Sequence, residues 1–212
     1  MMMYKSINFG KIKSSRQELI DISKAWLVLS VAFAFAFSGM SLLSGAFSLS
    51  RVFSMSFLQM IGVSLVTAGL GFLLHELAHK FVAQRYGCVA EFRAFDQMLY
   101  LALGLAVVIG FIFAAPGAVM ISGSITRREN GLVSAAGPLT NFVLGMFFLG
   151  LSFLFPQLAW MFIVGFHINL WLGLFNMIPF GNFDGIKIFH WSVPVWLSMV
   201  AFGVFFVFFT PF

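Results

Sequence analysis

Charged residues are scarce in this sequence. They make up 9% of the 212 residues, against roughly 25% in an ordinary soluble domain. Apolar residues make up 61%, and the mean hydropathy is +1.01. A water-soluble domain of this composition would have too little polar surface to cover its core. The composition therefore excludes a disordered chain, a cytosolic globular domain and a nucleic-acid-binding protein, and it predicts a polytopic protein embedded in the lipid bilayer.

Cysteine is almost absent as well. Cys88 is the only one, so the chain can form neither an internal disulfide nor a cysteine cluster for a metal. The sequence also lacks an internal repeat, a linker and a low-complexity segment. We therefore expect one domain over residues 1–212.

The few charges divide the chain into apolar runs. Residues 1–24 hold five of the 12 Lys and Arg residues and are predicted to form a solvated tail. Each later run has about 20 apolar residues, enough to cross a bilayer as a helix. The first run and its basic leader are too long for a cleaved signal peptide. Simple hydropathy thus predicts six helices, at 25–49, 52–74, 98–121, 132–155, 158–178 and 188–210.

The second run ends in the sequence His75-Glu76-Leu77-Ala78-His79. Residues four apart share one face of a helix, so both imidazoles can bind one Zn²⁺. Glu76 then lies beside the metal, where it can take a proton from a bound water. Because ionisable groups inside a membrane are costly, their presence favours a functional site over a hydrogen-bonded pair in a helix bundle.

A hydrolytic zinc site needs a third protein ligand. Asp184 is the best candidate by position, since it follows a helix that is broken at Pro179 and loosened at Gly181. Broken helices at membrane depth line sites rather than lipid. His167 and His190 remain as alternatives, and the other acidic candidates lie beside Lys or Arg: Glu18, Asp21, Glu91, Asp96 and Glu129.

Three motifs together resemble the site-2 protease family of intramembrane zinc metalloproteases. They are the H-E-x-x-H sequence at His75–His79, the G-x-x-x-N sequence at Gly137–Asn141, and the N-x-x-P-x-x-x-x-D-G sequence at Asn176–Gly185. They occur in the order typical of the family and cover its catalytic core, residues 57–187. The short chain most resembles the compact prokaryotic members, especially archaeal ones.

The resemblance implies a zinc ion held by His75, His79 and Asp184, with Glu76 as the catalytic acid and base. It implies hydrolysis of peptide bonds in single-span membrane proteins. Asn141 and Asn176 are amides in apolar helices, and we expect them to hold the substrate backbone or the oxyanion; interhelical hydrogen bonding is the alternative. For Asn169, packing and a place in the site stay equally open. Gly137-Pro138 is predicted to open a helix.

A metal shared by three ligands limits how the chain can cross the membrane. With the basic tail in the cytoplasm, the second run returns to that side, so His75 and His79 lie there, and Asp184 must lie there too. Runs 132–155 and 158–178 supply two crossings, so residues 98–121 are not expected to cross fully. We therefore expect an all-α membrane protein with five full spans and one re-entrant, hairpin-forming or otherwise embedded segment. It would be a multi-pass protein of the cell membrane, with its active site toward the cytoplasm.

Two other classes of function stay open at this point. A non-proteolytic zinc-containing adaptor could hold client helices without cutting them, although such a protein would not need Glu76. A zinc transporter would need ligands at several depths along a path, whereas the candidate ligands here converge on one site.

Overall fold

The fold is described here from a computed structural model, in which residues 6–9, 12–112 and 116–210 are described. The chain divides into two compact units. The first unit comprises Met1–Leu70 and Glu91–Ala118, and the second comprises Gly71–Ala90 and Val119–Phe212. The predicted ligands and Glu76 all belong to the second unit.

In the first unit, β1 pairs antiparallel with β2 so that Ser6 lies opposite Ser15 and Phe9 opposite Ile12. Ser15 then caps the first long helix, since its hydroxyl accepts a hydrogen bond from the Glu18 backbone N–H at 3.1 Å. The elements are β1 (Ser6–Phe9), β2 (Ile12–Ser15), α1 (Arg16–Ser38), α2 (Leu49–Val52), α3 (Met55–Ser64), a π-helical turn (Leu65–Gly69) and α5 (Asp96–Ile109).

The core of this unit forms where small residues of α1 allow close packing. Ala32 and Ala34 are fully buried and pack in one cluster with Phe35, Phe57 and Ala106. Glu18 is also fully buried, and its carboxylate accepts a hydrogen bond from the Phe92 backbone N–H at 2.8 Å. This bond ties the start of α1 to the strand that precedes α5.

The second unit is a group of apolar helices. The long helix α6 begins at a capping box, in which the Thr126 hydroxyl accepts from the Glu129 N–H while the Glu129 carboxylate accepts from the Thr126 N–H. The helices are α4 (Leu70–Arg85), α6 (Arg127–Leu154), a 3₁₀ turn (Pro156–Leu158), α7 (Ala159–Phe175), α8 (Asp184–Trp191) and α9 (Val193–Phe208).

The core of the second unit is built on α6 and α7. Its most buried members include Phe142, Phe166, Leu170 and Ile188. Gly145 lets α7 approach α6 closely, since a Cβ there would collide with the Leu170 side chain and lie 3.2 Å from the Phe166 carbonyl oxygen. Small residues commonly serve this purpose at helix contacts in membranes.

The capping box corrects one prediction. Gly137 and Pro138 do not open a helix but lie in the middle of α6, which begins ten residues earlier at Arg127. A proline inside a helix removes one backbone hydrogen bond and disturbs the preceding turn.

Four helices in the described part of the chain are long and apolar enough to span a membrane: Arg16–Ser38, Met55–Arg85, Arg127–Leu154 and Pro156–Phe175. The expected fifth span, 188–210, comprises the end of α8 and the 16-residue helix α9, which is about 24 Å long at 1.5 Å per residue. The count of five full spans therefore stays a prediction.

Residues 98–121 do not form one helix in the part of the chain that the structure describes. Helix α5 has 14 residues and is therefore about 21 Å long, shorter than the roughly 30 Å hydrocarbon layer. Strand β4 (Gly117–Ser122) follows and pairs with β3 (Val89–Ala94). The two short sheets also correct the expectation of an entirely α-helical chain. Their strands have only four or six residues, and three of the four lie in polar segments of the sequence, for which no strand was predicted.

Candidate metal centre

The two histidines of the H-E-x-x-H sequence lie one turn apart on α4. Their Nε2 atoms are 3.0 Å apart, and the rings meet edge to face at 83°. Both side chains are buried. The helix therefore points two imidazole nitrogens into one small volume, as the spacing of four residues predicts.

Asp184 is the first residue of α8, and the loop before it turns sharply back on α7. The Gly185 N–H donates to the Asn176 carbonyl oxygen at 2.7 Å. Only glycine fits at 185, since a Cβ there would lie 2.6 Å from the Ile178 carbonyl oxygen. The Asp-Gly pair thus allows the chain to place an acid at the start of a helix immediately after a tight loop.

This loop brings the Asp184 carboxylate to the histidines. Its Oδ2 atom lies 3.3 Å from His75 Nε2 and 3.1 Å from His79 Nε2. Its Oδ1 atom lies 3.8 Å from the ammonium of Lys187. Burial by itself raises the pKa of the Asp184 carboxyl, but its interactions with His79 and His75 hold that pKa below its ordinary value, so the carboxylate form prevails.

The three ligating atoms fit a zinc ion. Two ligands about 2 Å from a tetrahedral zinc lie about 3.3 Å from each other, close to the separations among the two Nε2 atoms and Oδ2. Among the described residues, these three side chains form the single group of histidine, cysteine or acidic residues close enough to share a metal. The donor set of two imidazoles and one carboxylate suits catalytic zinc.

Gly137 of α6 leaves the space that an ion would need. A Cβ at this position would lie 2.6 Å from His75 Nε2 and nearer still to His79 Nε2. A methyl group there would occupy the volume in front of both metal-binding nitrogens. The glycine of the G-x-x-x-N sequence is therefore required to leave this volume open. This role was not predicted from the sequence.

Glu76 follows His75 on α4 and is half-buried. It is not among the three converging ligands. Its carboxylate lies within hydrogen-bonding reach of the Val119 backbone on β4. This position beside the metal-binding group suits an acid and base that does not ligate the ion.

A second layer of contacts orients the histidines. Asn141 Oδ1 lies 2.5 Å from His75 Nδ1, and the Val133 carbonyl oxygen lies 2.8 Å from His79 Nδ1. Val133 lies on α6, eight residues before Asn141. Neither contact was predicted from the sequence. The signal for the first is the spacing of Gly137 and Asn141, which are four residues apart and therefore share a helix face.

The two predicted substrate-binding amides lie in different surroundings. Asn141 is fully buried, and its Nδ2 donates to the Gly71 carbonyl oxygen and to Asn169 Oδ1, each at 3.1 Å. Asn176 ends α7 and is half-buried, and its Nδ2 donates to the Leu172 carbonyl oxygen at 2.9 Å. The Asn176 backbone also holds the loop that carries Asp184.

The alternative third ligands do not join the three-residue group. The His167 ring packs edge to face against Phe166, with centroids 5.0 Å apart. The His190 carbonyl oxygen accepts a hydrogen bond from Arg127 at the end of α8. Glu129 takes part in the capping box of α6, and the other acidic candidates belong to the first unit: Glu18, Asp21, Glu91 and Asp96.

Replacing Asp184 with alanine should remove a third of the protein ligands. We expect metal analysis of purified Asp184→Ala to show zinc well below one ion per chain, because two imidazoles alone hold the ion weakly. Asp96→Ala, which removes an exposed carboxylate of the first unit, should keep its zinc. Full zinc content in Asp184→Ala would show that another residue is the third ligand.

Adding a methyl group at Gly137 should also displace the ion. We expect Gly137→Ala to bind zinc at least about tenfold more weakly than the unaltered chain, as measured by competition with a chelator. Gly150→Ala on the same helix is the matched control, since a Cβ there meets nothing within 4 Å. Equal zinc affinity in the two variants would contradict the proposed role of Gly137.

Comparison with known proteins agrees with this geometry. Putative zinc metalloprotease MJ0611 of Methanocaldococcus jannaschii is 41% identical over 186 residues, which are 86% of this chain and 88% of that protein. Rip2 of Mycolicibacterium smegmatis and YwhC of Bacillus subtilis carry the same descriptive name. They are 34% and 29% identical over 60% and 65% of this chain, and over 57% and 72% of their own lengths.

No protein-family model and no solved structure matches the chain. The assignment therefore stands on the sequence relatives and on the three converging ligands. The similarity to the M. jannaschii protein extends over most of both chains, and the described helices include four that are apolar enough to cross a membrane. The chain accordingly belongs to this family of membrane zinc metalloproteases, and its metal is Zn²⁺.

Proposed function

We propose that this protein hydrolyses peptide bonds within the transmembrane segments of single-span membrane proteins, as site-2 proteases do. The observation that carries the proposal is the position of the metal centre. His75, His79 and Asp184 converge on one point, and both histidines lie in a 31-residue apolar helix of spanning length. A hydrolytic site on such a helix is suited to a substrate that also lies in the bilayer.

The chemistry requires an activated water and a base. Zinc, when bound, lowers the pKa of a water toward about 7 and polarises the scissile carbonyl. Glu76 takes the proton of the attacking water and passes it to the leaving amine. His75, His79 and Asp184 hold the centre in place, and the Val119 backbone helps to keep the Glu76 carboxylate beside it.

The oxyanion that forms on the carbonyl needs a hydrogen-bond donor. Asn176 is the better of the two predicted amides, since its amino group has two hydrogens and, within the described part of the chain, donates to one acceptor, the Leu172 carbonyl oxygen. Asn141 donates to two acceptors already. We therefore assign the substrate-binding role to Asn176 and a different role to Asn141.

A substrate helix must unwind before it can react, because its carbonyls are hydrogen-bonded within the helix. An intact Glu76 beside the ligands favours hydrolysis over a non-proteolytic adaptor, which would need no base. The convergence of the three ligands on one point likewise disfavours a transport path with ligands at several depths.

Replacing Glu76 with glutamine should separate catalysis from metal binding. We expect cleavage of a purified single-span substrate to fall by about 100-fold or more, while zinc content and the thermal unfolding temperature stay unchanged. Glu91→Gln, which neutralises a carboxylate of the first unit, is the matched control. Cleavage by Glu76→Gln within tenfold of the unaltered enzyme would mean that another residue is the base.

We also propose that the N-terminal tail and the metal centre both face the cytoplasm. The ligands on α4 and α8 must lie at the same side, and α6 and α7 supply two crossings between them. Helix α5 is too short to add a third. This arrangement places one group of basic residues on the cytoplasmic side, as the positive-inside rule requires: Arg85, Arg93, Arg127, Arg128 and Lys187.

Single cysteines test this topology in a Cys88→Ser background. Cysteines at Gln97 and Asn130, which are both exposed, should react with a membrane-impermeant thiol reagent from the cytoplasmic side only. A cysteine at the exposed Ser50, between the first two expected spans, is the control and should react from the outside only. Labelling of position 130 from the outside would contradict the proposed crossing pattern.

A further inference from the structure

Three buried side chains form a line that ends at the metal centre. Asn169 on α7 accepts a hydrogen bond from Asn141 on α6 at 3.1 Å, and Asn141 lies 2.5 Å from Nδ1 of His75 on α4. Asn169 and Asn141 have no exposed surface, and His75 has 5%. Asn169 belongs to none of the three sequence motifs, and the proposed mechanism does not use it.

Backbone carbonyls determine which way each amide points. The Gly165 carbonyl oxygen accepts from Asn169 Nδ2 at 2.8 Å, so Asn169 must present its oxygen to Asn141. Asn141 then faces two acceptors, Asn169 Oδ1 and the Gly71 carbonyl oxygen. Its amino group must point at both of them, and its oxygen at His75.

The orientation of Asn141 determines the proton position on His75. An amide oxygen can only accept, so His75 Nδ1 must carry a hydrogen, and in the neutral ring Nε2 then keeps its lone pair. Nε2 is the atom that faces His79 and Asp184. We propose that Asn169 is a positioning residue: through Asn141 it holds His75 in the tautomer and ring orientation that bind zinc. The proposal deepens the proposed function and rests on it only for the role of His75 as a zinc ligand.

A glycine on α4 makes room for the Asn169 side chain. A Cβ at Gly71 would lie 3.0 Å from Asn169 Cγ and nearer still to its Oδ1. Glycine at this position lets the amide of α7 reach the backbone of α4. Gly71 is also four residues before His75, so the acceptor of Asn141 and the ligand it orients lie on one helix face.

The second histidine is oriented differently, which makes the proposal testable. His79 Nδ1 contacts a backbone carbonyl, that of Val133, and no substitution removes that acceptor. His75 depends on two side chains. Partners of this kind hold the tautomer of a metal-binding histidine, and their loss typically costs about 10–100-fold in metal affinity.

The first measurement is zinc affinity, by competition of the metal-free protein with a chelator. Asn141→Leu should bind zinc about 10–100-fold more weakly, and Asn169→Leu about tenfold more weakly. Leu170→Ala is the matched control, because it removes a fully buried side chain at the next position of α7. It should change the zinc Kd by no more than about twofold, and a loss equal to that of Asn169→Leu would overturn the proposal.

The double variant tests whether Asn169 acts through Asn141. In the Asn141→Leu background, Asn169→Leu should have no further effect on the zinc Kd. If the two losses multiplied instead, the residues would act independently, and the proposal would fail.

A spectroscopic measurement covers the case in which a variant does not fold. In the unaltered zinc-loaded protein, ¹⁵N chemical shifts of the His75 ring should show the hydrogen on Nδ1. A His75 Nδ1 that carries no hydrogen in the unaltered protein would overturn the proposal without any substitution. Neither affinity nor ring shifts require a substrate, so a failed cleavage assay would count against the proposed function and leave this inference standing.

Discussion

The structure depends on bringing three ligating atoms to within about 3 Å of one another from two helices far apart in sequence. His75 and His79 come from α4, and Asp184 comes from α8. Zinc ligation does not tolerate larger separations. The intervening helices, α6 and α7, must therefore bring the start of α8 back beside α4. Their close packing at Gly145 and the tight loop before Gly185 are the means by which the fold achieves this return.

A charged site in apolar surroundings also needs every polar atom to have a partner. The Nδ1 atoms of the two histidines contact Asn141 and a backbone carbonyl, and Asp184 divides its oxygens between the histidines and Lys187. Helices can supply such partners in lipid because their own backbone groups are already satisfied.

Much of the site could be predicted from spacing within one helix. The four-residue separation of His75 and His79 places both imidazoles on one helix face independently of the tertiary structure. The position of an acidic residue at a broken helix end indicated Asp184. The fold was less predictable. The apolar runs located the long helices, but hydropathy does not distinguish a 14-residue helix followed by a strand from one spanning helix, because both are apolar throughout.

The sequence by itself determined the apolar runs typical of a membrane protein, the placing of His75 and His79 on one face of α4 as a candidate metal-binding pair, and the position of Glu76 beside them, since these follow from composition and helical periodicity. Tertiary structure decided which residues surround the pair. The open space at Gly137, the contact of Asn141 with His75, and the reach of Asn169 to Asn141 join residues separated by 28 to 66 positions in sequence. Such contacts depend on how α4, α6 and α7 pack, and no local pattern specifies that packing.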